Sequence, residues 1–329
     1  MRPEIRDNFD IAIICALPLE ADAVEALFDE TYDRLGRHYG KQRGDANSYI
    51  NGRIGKHDVV LCYMPGMGKG SAAGVAAGLL ASYPSVKLAL VVGICGGAPP
   101  PPKYDEIFLG DVIISDSVVE YDSGRQYPGG FERKTGVKDT LNRPGQENTR
   151  RELQDQTRQY LHSLQQTGTK WCHPGVNDIL FNACHLHQHY RDTSSTGCSC
   201  FGSDALDPIC NEALGKDCNE LDCNPNQQIR CREDSNAIRP SIYIGPVASA
   251  DMVMKPGRHR DEIAKRDNVI GFEMEGAGVW DHIPCIIIKG VCDYADSHKK
   301  KLWQAYAAAT GASAAKAFLE YWIPATQEG

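Results

Sequence analysis

VKLALVVGICGG, residues 86–97, is an almost continuous apolar run ending on paired glycines, the pattern of a strand covered on both faces of a sheet. Working outward, HDVVLCYM (57–64) reads as another strand, and GMGKGSAAGVAAGLLASY (66–83) between the two reads as a Gly-rich turn and a helix of small residues. Further back, FDIAIIC (9–15) is a β-branched apolar run, and after Pro18 the segment LEADAVEALFDE (19–30) repeats Leu19, Ala23, Ala26 and Leu27 at helical spacing. Strand, turn and helix in alternation predict an α/β sheet with parallel strands.

The pattern returns near the end of the chain with SIYIGPVAS (241–249), NVIGFEMEGAGVW (268–280) and PCIIIKGVCDYAD (284–296). A long Ala-rich helix follows, LWQAYAAATGASAAKAFLEYW (302–322), with Trp303, Tyr306, Phe318 and Trp322 as anchors. Neither half has enough strands for its own sheet. Residues 1–329 therefore read as a single domain, with 125–240 as an insertion of different composition. Within it TRRELQDQTRQYLHSLQQ (149–166) is a polar helix candidate, and 192–236 is rich in Cys, Asn, Asp and Ser with little periodicity. Four prolines at 99–102 stiffen the loop after the 86–97 strand.

The formal charge of -8, from 43 acidic and 35 basic residues, excludes a general nucleic-acid binder while leaving room for a local basic pocket. The first residues show no secretory pattern, and no stretch approaches the roughly 18 apolar residues of a membrane span. A soluble, cytoplasmic protein without a membrane partner is expected. Of the 13 cysteines, seven are scattered through ordinary core or loop sequence.

Glycines follow the predicted strands, Gly66, Gly68 and Gly70 in one place and Gly93, Gly96 and Gly97 in another, where backbone can approach a ligand or a helix can pack closely. GMGKGS is no phosphate loop, because Tyr63 stands where the first glycine belongs. Glu20, Glu273, Glu275 and Asp293 all fall at the carboxyl ends of predicted strands, where open α/β sheets place ligands. Helix N-terminal acids at Glu20 and Glu275 and an N-cap at Asp293 are the structural alternative.

Six motifs in order, ALPLEADAVEALF, MPGMGKGSAA, VVGICGG, LGDVIISD, FEMEGAG and GVCDYAD, give the chain its resemblance to the nucleoside phosphorylase/uridine phosphorylase superfamily. It looks closest to the methylthioadenosine/S-adenosylhomocysteine nucleosidase branch and related fungal domains. The resemblance covers residues 9–123 and 241–322. It implies a three-layer α/β/α sandwich around a central mixed sheet, carrying the Cys-rich insertion, and a homo-oligomer acting on a purine nucleoside or nucleotide without a cofactor. It also implies that Glu20 activates a water, that Met274 and Glu275 hold the sugar, and that Asp293 protonates N7 of the departing purine. Gly68, Gly96, Glu273, Ser249 and Cys292 join the substrate-binding set. Such chemistry suits an oxocarbenium-like transition state, and it asks for a protonated Asp293 in a dry site.

The resembling phosphorylases hold phosphate with an Arg in the first βα turn and with an Arg-x-Gly-Ser run after the third strand, at places that here carry Glu20, Val91 and Ile94. Carboxylate repels phosphate and Val and Ile offer it no hydrogen bond, so hydrolysis is expected over phosphorolysis. Cys292 and Ile94 both depart from serines of the nucleosidases. At the 5' end, basic runs offer Lys255, Arg258, His259 and Arg260, then His298, Lys299, Lys300 and Lys301. Arg258, Arg260, Lys299 and Lys300 could grip a 5'-phosphate, ATP included, or belong to solvated loops. A non-catalytic nucleoside-sensing module is the reading of another class.

Cys198, Cys200, Cys210, Cys218, Cys223 and Cys231 lie in the insertion, preceded by Cys172, His173, Cys184, His185, His187 and His189. No spacing gives paired C-x-x-C hooks, so no metal ligands are assigned, and a structural metal, disulfides and plain reduced thiols stay open.

Overall fold

Each continuous apolar run is a strand of one large sheet, buried on both faces. The computed structural model describes residues 2–36, 38–99, 106–134, 137–139, 147–190, 212–232 and 239–323. Cys198, Cys200, Cys210 and the prolines at 100–102 lie outside the described residues. The first part of the chain gives β1 (Ile11–Cys15), α1 (Pro18–Glu25), β2 (Glu30–Thr31), β3 (Ser48–Ile54), β4 (His57–Tyr63), α2 (Lys69–Ser82), β5 (Leu88–Gly97) and β6 (Val112–Glu120). The middle gives a hairpin of β7 (Gly124–Tyr127) and β8 (Gly130–Arg133), then β9 (Val137–Asp139), α3 (Glu147–Thr167), β10 (Asp178–Phe181) and β11 (Gln228–Arg232). The last part gives β12 (Ile242–Ser249), α4 (Gly257–Asp267), β13 (Gly271–Glu273), α5 (Gly276–Trp280), β14 (Cys285–Asp293) and α6 (Gln304–Tyr321).

The fold is α/β on a central mixed sheet of order β13-β12-β6-β14-β5-β1-β4-β3-β2. Strands β1, β5 and β14 run parallel side by side, whereas β6 is antiparallel to β14. Strand β13 pairs with β12 and also, antiparallel, with β5, so the five strands β5, β14, β6, β12 and β13 close on one another. Helices cover both faces. Ile287 of β14 lies against Gly276 of α5, while Gly290, three residues on and thus on the other face, lies beneath Ala307 of α6. A Cβ at Gly290 would collide with that helix backbone, which is why α6 can sit so close.

Several elements escape the periodicity of the sequence, β3 and α4 among them. In β3 the run SYINGRI interrupts its apolar positions with Asn51, Gly52 and Arg53, and the strand is fixed by its hairpin with β4. In α4 the basic run conceals a buried face of Gly257, Arg260, Ile263 and Ala264 at helical spacing.

Candidate active site

The parallel strands β14, β5 and β1 end on one edge of the sheet, the edge where the candidate acids follow. Glu20, in the first turn of α1, is only 2% exposed. Its Oε2 accepts the amides of Ala16 and Leu17, both at 2.9 Å, and its Oε1 accepts that of Ile94 at 2.8 Å. A Cβ at Gly93 would overlap this carboxylate, so the glycine of β5 makes its place. Burial holds the Glu20 carboxyl above its ordinary value, with Lys289 opposing the shift and Glu275 adding to it.

Lys289, a lysine in the middle of an apolar strand, is the residue that sequence reasoning missed. It is 1% exposed, with Nζ 3.1 Å from Glu275 Oε2 and 3.9 Å from Glu273 Oε2. Burial opposes its charge, but Glu275, Glu20 and Glu273 outweigh burial and hold it above the ordinary lysine value. Three acids around one ammonium thus form a buried charged cluster.

Glu273 caps α5: its Oε2 accepts the amides of Glu275 and Gly276, and Oε1 accepts the latter as well, all at 3.0 Å. Its carboxyl is also raised, chiefly by burial. Ser249 sits behind it, Oγ accepting the Ala277 amide at 3.1 Å and bonding Glu273. Gly68 caps α2 and donates its amide to Glu275 Oε1 at 3.3 Å. The neighbouring Lys69, first residue of α2, binds Glu120 and Asp122 at 2.6 and 2.5 Å, so it is already neutralised by carboxylates.

Asp293 ends β14 opposite Gly96. Its Oδ1 accepts the Ala295 amide at 2.8 Å and the Lys299 ammonium at 2.6 Å. Burial, then Asp293 itself, pushes the Cys292 thiol well above its ordinary value, and Cys292 Sγ donates to Asp293 Oδ2 at 3.4 Å. A thiol therefore takes the donor position that the family resemblance gives to serine. Among the described residues, Oδ2 meets only this weak donor.

Glu20, Gly96, Glu273, Met274, Glu275, Cys292, Asp293 and Lys299 line one cavity of about 220 Å³. Phe272 and Ile94 complete its wall, and Met67, Met252 and Val253, all exposed, stand at it with Met254. This methionine-rich apolar part carried no signal in the sequence beyond residue type. Gly68 and Ser249 support the lining residues without joining them. Arg258, Arg260 and Lys300 do not line it. The Arg260 side chain, 2% exposed, lies on the buried face of α4 and binds the Tyr294 carbonyl, Asp261 and Asp296, while Arg258 is exposed and reaches Cys184 Sγ. Both are committed away from a 5'-phosphate in the cavity, because each helical position is fixed by which face packs.

A carboxylate-lined cavity at the strand ends of a mixed sheet defines the class, and the chain belongs to the Phosphorylase superfamily, whose family model matches residues 10–178. The match runs beyond residue 123, where the first stretch of the motif resemblance stops, and ends before the second stretch at 241–322. The chain is 29% identical over 338 aligned residues to a protein of Hyaloscypha variabilis described as a nucleotide-binding leucine-rich repeat (NLR)-like protein. That alignment takes in 97% of this chain but only 30% of its relative, so the chain spans about a third of the relative's length. Its fold is that of the futalosine hydrolase of Helicobacter pylori, at a TM-score of 0.53 and 14% identity over 96% of this chain and 99% of that one. It is likewise that of the Neisseria meningitidis 5'-methylthioadenosine/S-adenosylhomocysteine nucleosidase in complex with methylthio-immucillin-A, at 0.51 and 16% over 95% and 99%. Among the described residues no helix is long and apolar enough to cross a membrane.

Proposed function

We propose that this cavity hydrolyses the N-glycosidic bond of a purine nucleoside or nucleotide. The observation that carries the reading is the seating of Glu20: three amides hold its carboxylate over Gly93, in the place where a phosphorolytic enzyme would need a cation. Its raised proton affinity suits a base for water. The Glu20 contact at Ile94 and the Asp293 pairing at Gly96 are two residues apart on β5, and both carboxylates line the same cavity. Glu20 takes a proton from water as its oxygen bonds to the anomeric carbon. As the bond to N9 breaks, Asp293 Oδ2 delivers a proton to N7, and the base leaves neutral. Glu275 accepts from the sugar hydroxyls, with Met274 against the ring, and the nearby carboxylates favour the positive charge that develops on the sugar.

The cavity is smaller than the roughly 300–1,000 Å³ of drug-sized pockets, so it encloses base and sugar while the 5' group passes the exposed Met67, Met252 and Val253. That apolar rim supports an uncharged 5' group. The one cation that a 5'-phosphate would meet among the cavity's described residues is Lys299, which Asp293 already occupies. The test is product analysis in phosphate-free buffer with adenosine, a 5'-thio analogue and ATP in parallel, where free adenine and a free 1-hydroxyl sugar are expected. Sugar 1-phosphate formed only when phosphate is added would overturn the hydrolase reading.

The NLR-like relative favours a second reading, in which this domain reports nucleoside binding to a larger protein. Calorimetry showing adenosine bound by intact protein with no base released would make it the better account. A homo-oligomer goes with either reading, and light scattering at micromolar concentration checks it.

A further inference from the structure

Outside the cavity, the described part of the cysteine-rich region gathers soft donors into one small volume. Cys218, Cys223 and His187 place their donor atoms within 4.8 Å of one another, and so do Cys223, His185 and His298. His187 Nδ1 lies 3.8 Å from Cys218 Sγ and 3.7 Å from Cys223 Sγ. Those separations are within a few tenths of an ångström of the roughly 3.5 Å nitrogen–sulfur edge of a tetrahedron with zinc bonds of about 2.3 Å to sulfur and 2.0 Å to nitrogen.

The backbone and the outer hydrogen bonds prepare the donors. Asp222, at φ 61°, turns the chain back so that the Cys223 amide reaches the Cys218 carbonyl at 2.9 Å, which brings the two thiols to one side. His187 Nε2 bonds the Lys216 carbonyl at 3.0 Å and must carry the proton there, leaving Nδ1 as a lone pair. Tyr190 donates its hydroxyl to the Leu186 carbonyl, so its oxygen accepts from His185 Nδ1 at 3.1 Å, and His185 Nε2 is left as a lone pair. That buried Nε2 has no hydrogen-bond partner, and neither ring nitrogen of buried His298 has one. Asp296 Oδ1 stands 3.9 Å from His298 Nδ1.

From this arrangement we infer a zinc site built on Cys218, Cys223 and His187 and closed by His298, which shares the second triad with Cys223 and stacks on His185. Two thiolates and two imidazoles select a d¹⁰ or tetrahedral divalent ion over calcium or magnesium. Binding converts both thiols to thiolates and releases up to two protons to solvent. The site joins two distant parts of the chain: His298 adjoins Lys299, which holds Asp293, and the His187 amide donates to Ser297 Oγ at 3.0 Å. The metal would thus fasten the cysteine-rich region to the loop behind the proposed leaving-group acid, a consequence that rests on the reading of Asp293 above.

The test uses the untagged full chain, expressed with added zinc and purified under reducing conditions without chelator. Elemental analysis should give about one zinc per chain, and cobalt exchange should give tetrahedral d–d absorption with thiolate-to-cobalt charge transfer. Cys218→Ser with Cys223→Ser should abolish both. Alkylation of the unaltered chain needs no variant: zinc should protect Cys218 and Cys223, while exposed Cys184 and Cys231 react equally with and without it. Less than a tenth of an equivalent of zinc with equal alkylation in both conditions, or a Cys218–Cys223 disulfide in protein kept reduced, would overturn the site. Zinc-loaded protein that releases no base refutes the hydrolase and leaves the site standing; active protein that holds no metal does the reverse.

Discussion

Lys289→Met removes the one ammonium from a buried cluster of three acids and leaves the side-chain volume nearly unchanged. The lysine contributes no exposed charge, being 1% exposed, and Glu273 and Glu275 lie within 3.9 Å of it. Breaking one buried pair by deleting a partner destabilises by about 3–5 kcal/mol, because the remaining charge is stranded in a dry site. Because Lys289 binds its proton more tightly when folded, its contribution is complete below the ordinary lysine value of about 10.4 and fades only at higher pH. The pH dependence near neutrality therefore belongs to the acids. Glu20 and Glu273 already have raised carboxyls, and without Lys289 they rise further, so the native state of the variant gains protons as pH falls. The loss should be largest at pH 8 and shrink toward pH 5 as these carboxyls neutralise. Urea unfolding followed by tryptophan fluorescence measures both values. A loss under about 1 kcal/mol at pH 8, or one identical at the two pH values, would show that the cluster is not held together by charge.

Asp293→Asn keeps an oxygen for Ala295 and Lys299 but removes the transferable proton, so turnover should drop roughly 10²-fold or more while stability falls only by the part-exposed Lys299 ion pair, about 0–1 kcal/mol; near-normal steady-state rates would sink its role as acid. Glu20→Gln should lose both activity and about 1–3 kcal/mol, because its NH₂ must face an amide N–H that now donates to a carboxylate, and a denaturant melt beside an activity assay separates the two losses. Gly93→Ala should reproduce the Glu20→Gln defect in turnover with about 1–3 kcal/mol of overpacking, and a fully active, fully stable protein would show that the carboxylate does not depend on that glycine. Arg258→Ala should leave KM for every substrate unchanged, since the guanidinium sits on Cys184 outside the cavity; a selective rise for ATP would return it to the 5'-phosphate.

The sheet was legible because its central strands need unbroken apolar runs, and β1, β5 and β14 supply them. The candidate acids were legible because each lies a few residues from a strand end, within one short motif. What stayed hidden depends on chain segments far apart. Lys289 carried a signal, a charge inside CIIIKGVCD, but its meaning required Glu20 and Glu275 to arrive from other elements. Arg260 looked like part of a basic patch because local charge density says nothing about faces. The spacing of Gly257, Arg260, Ile263 and Ala264 holds the information that this arginine points inward. The cysteines resisted for a similar reason: His298 stands 75 residues beyond Cys223, so no local hook could announce the cluster.

For Glu20 the two alternatives set by the sequence, helix-terminal acid or active-site acid, are not exclusive. Glu20 satisfies three backbone amides and Glu273 caps α5, yet both face the cavity. An amide held at hydrogen-bond distance fixes a carboxylate more rigidly than a solvent-facing rotamer could, and a rigid carboxylate near a developing cation needs no reorganisation when the charge forms. Capping is then the means by which these acids are aimed. Substitutions here should damage stability and turnover together, and only a residue such as Asp293, whose amide analogue can keep its contacts, can separate the two.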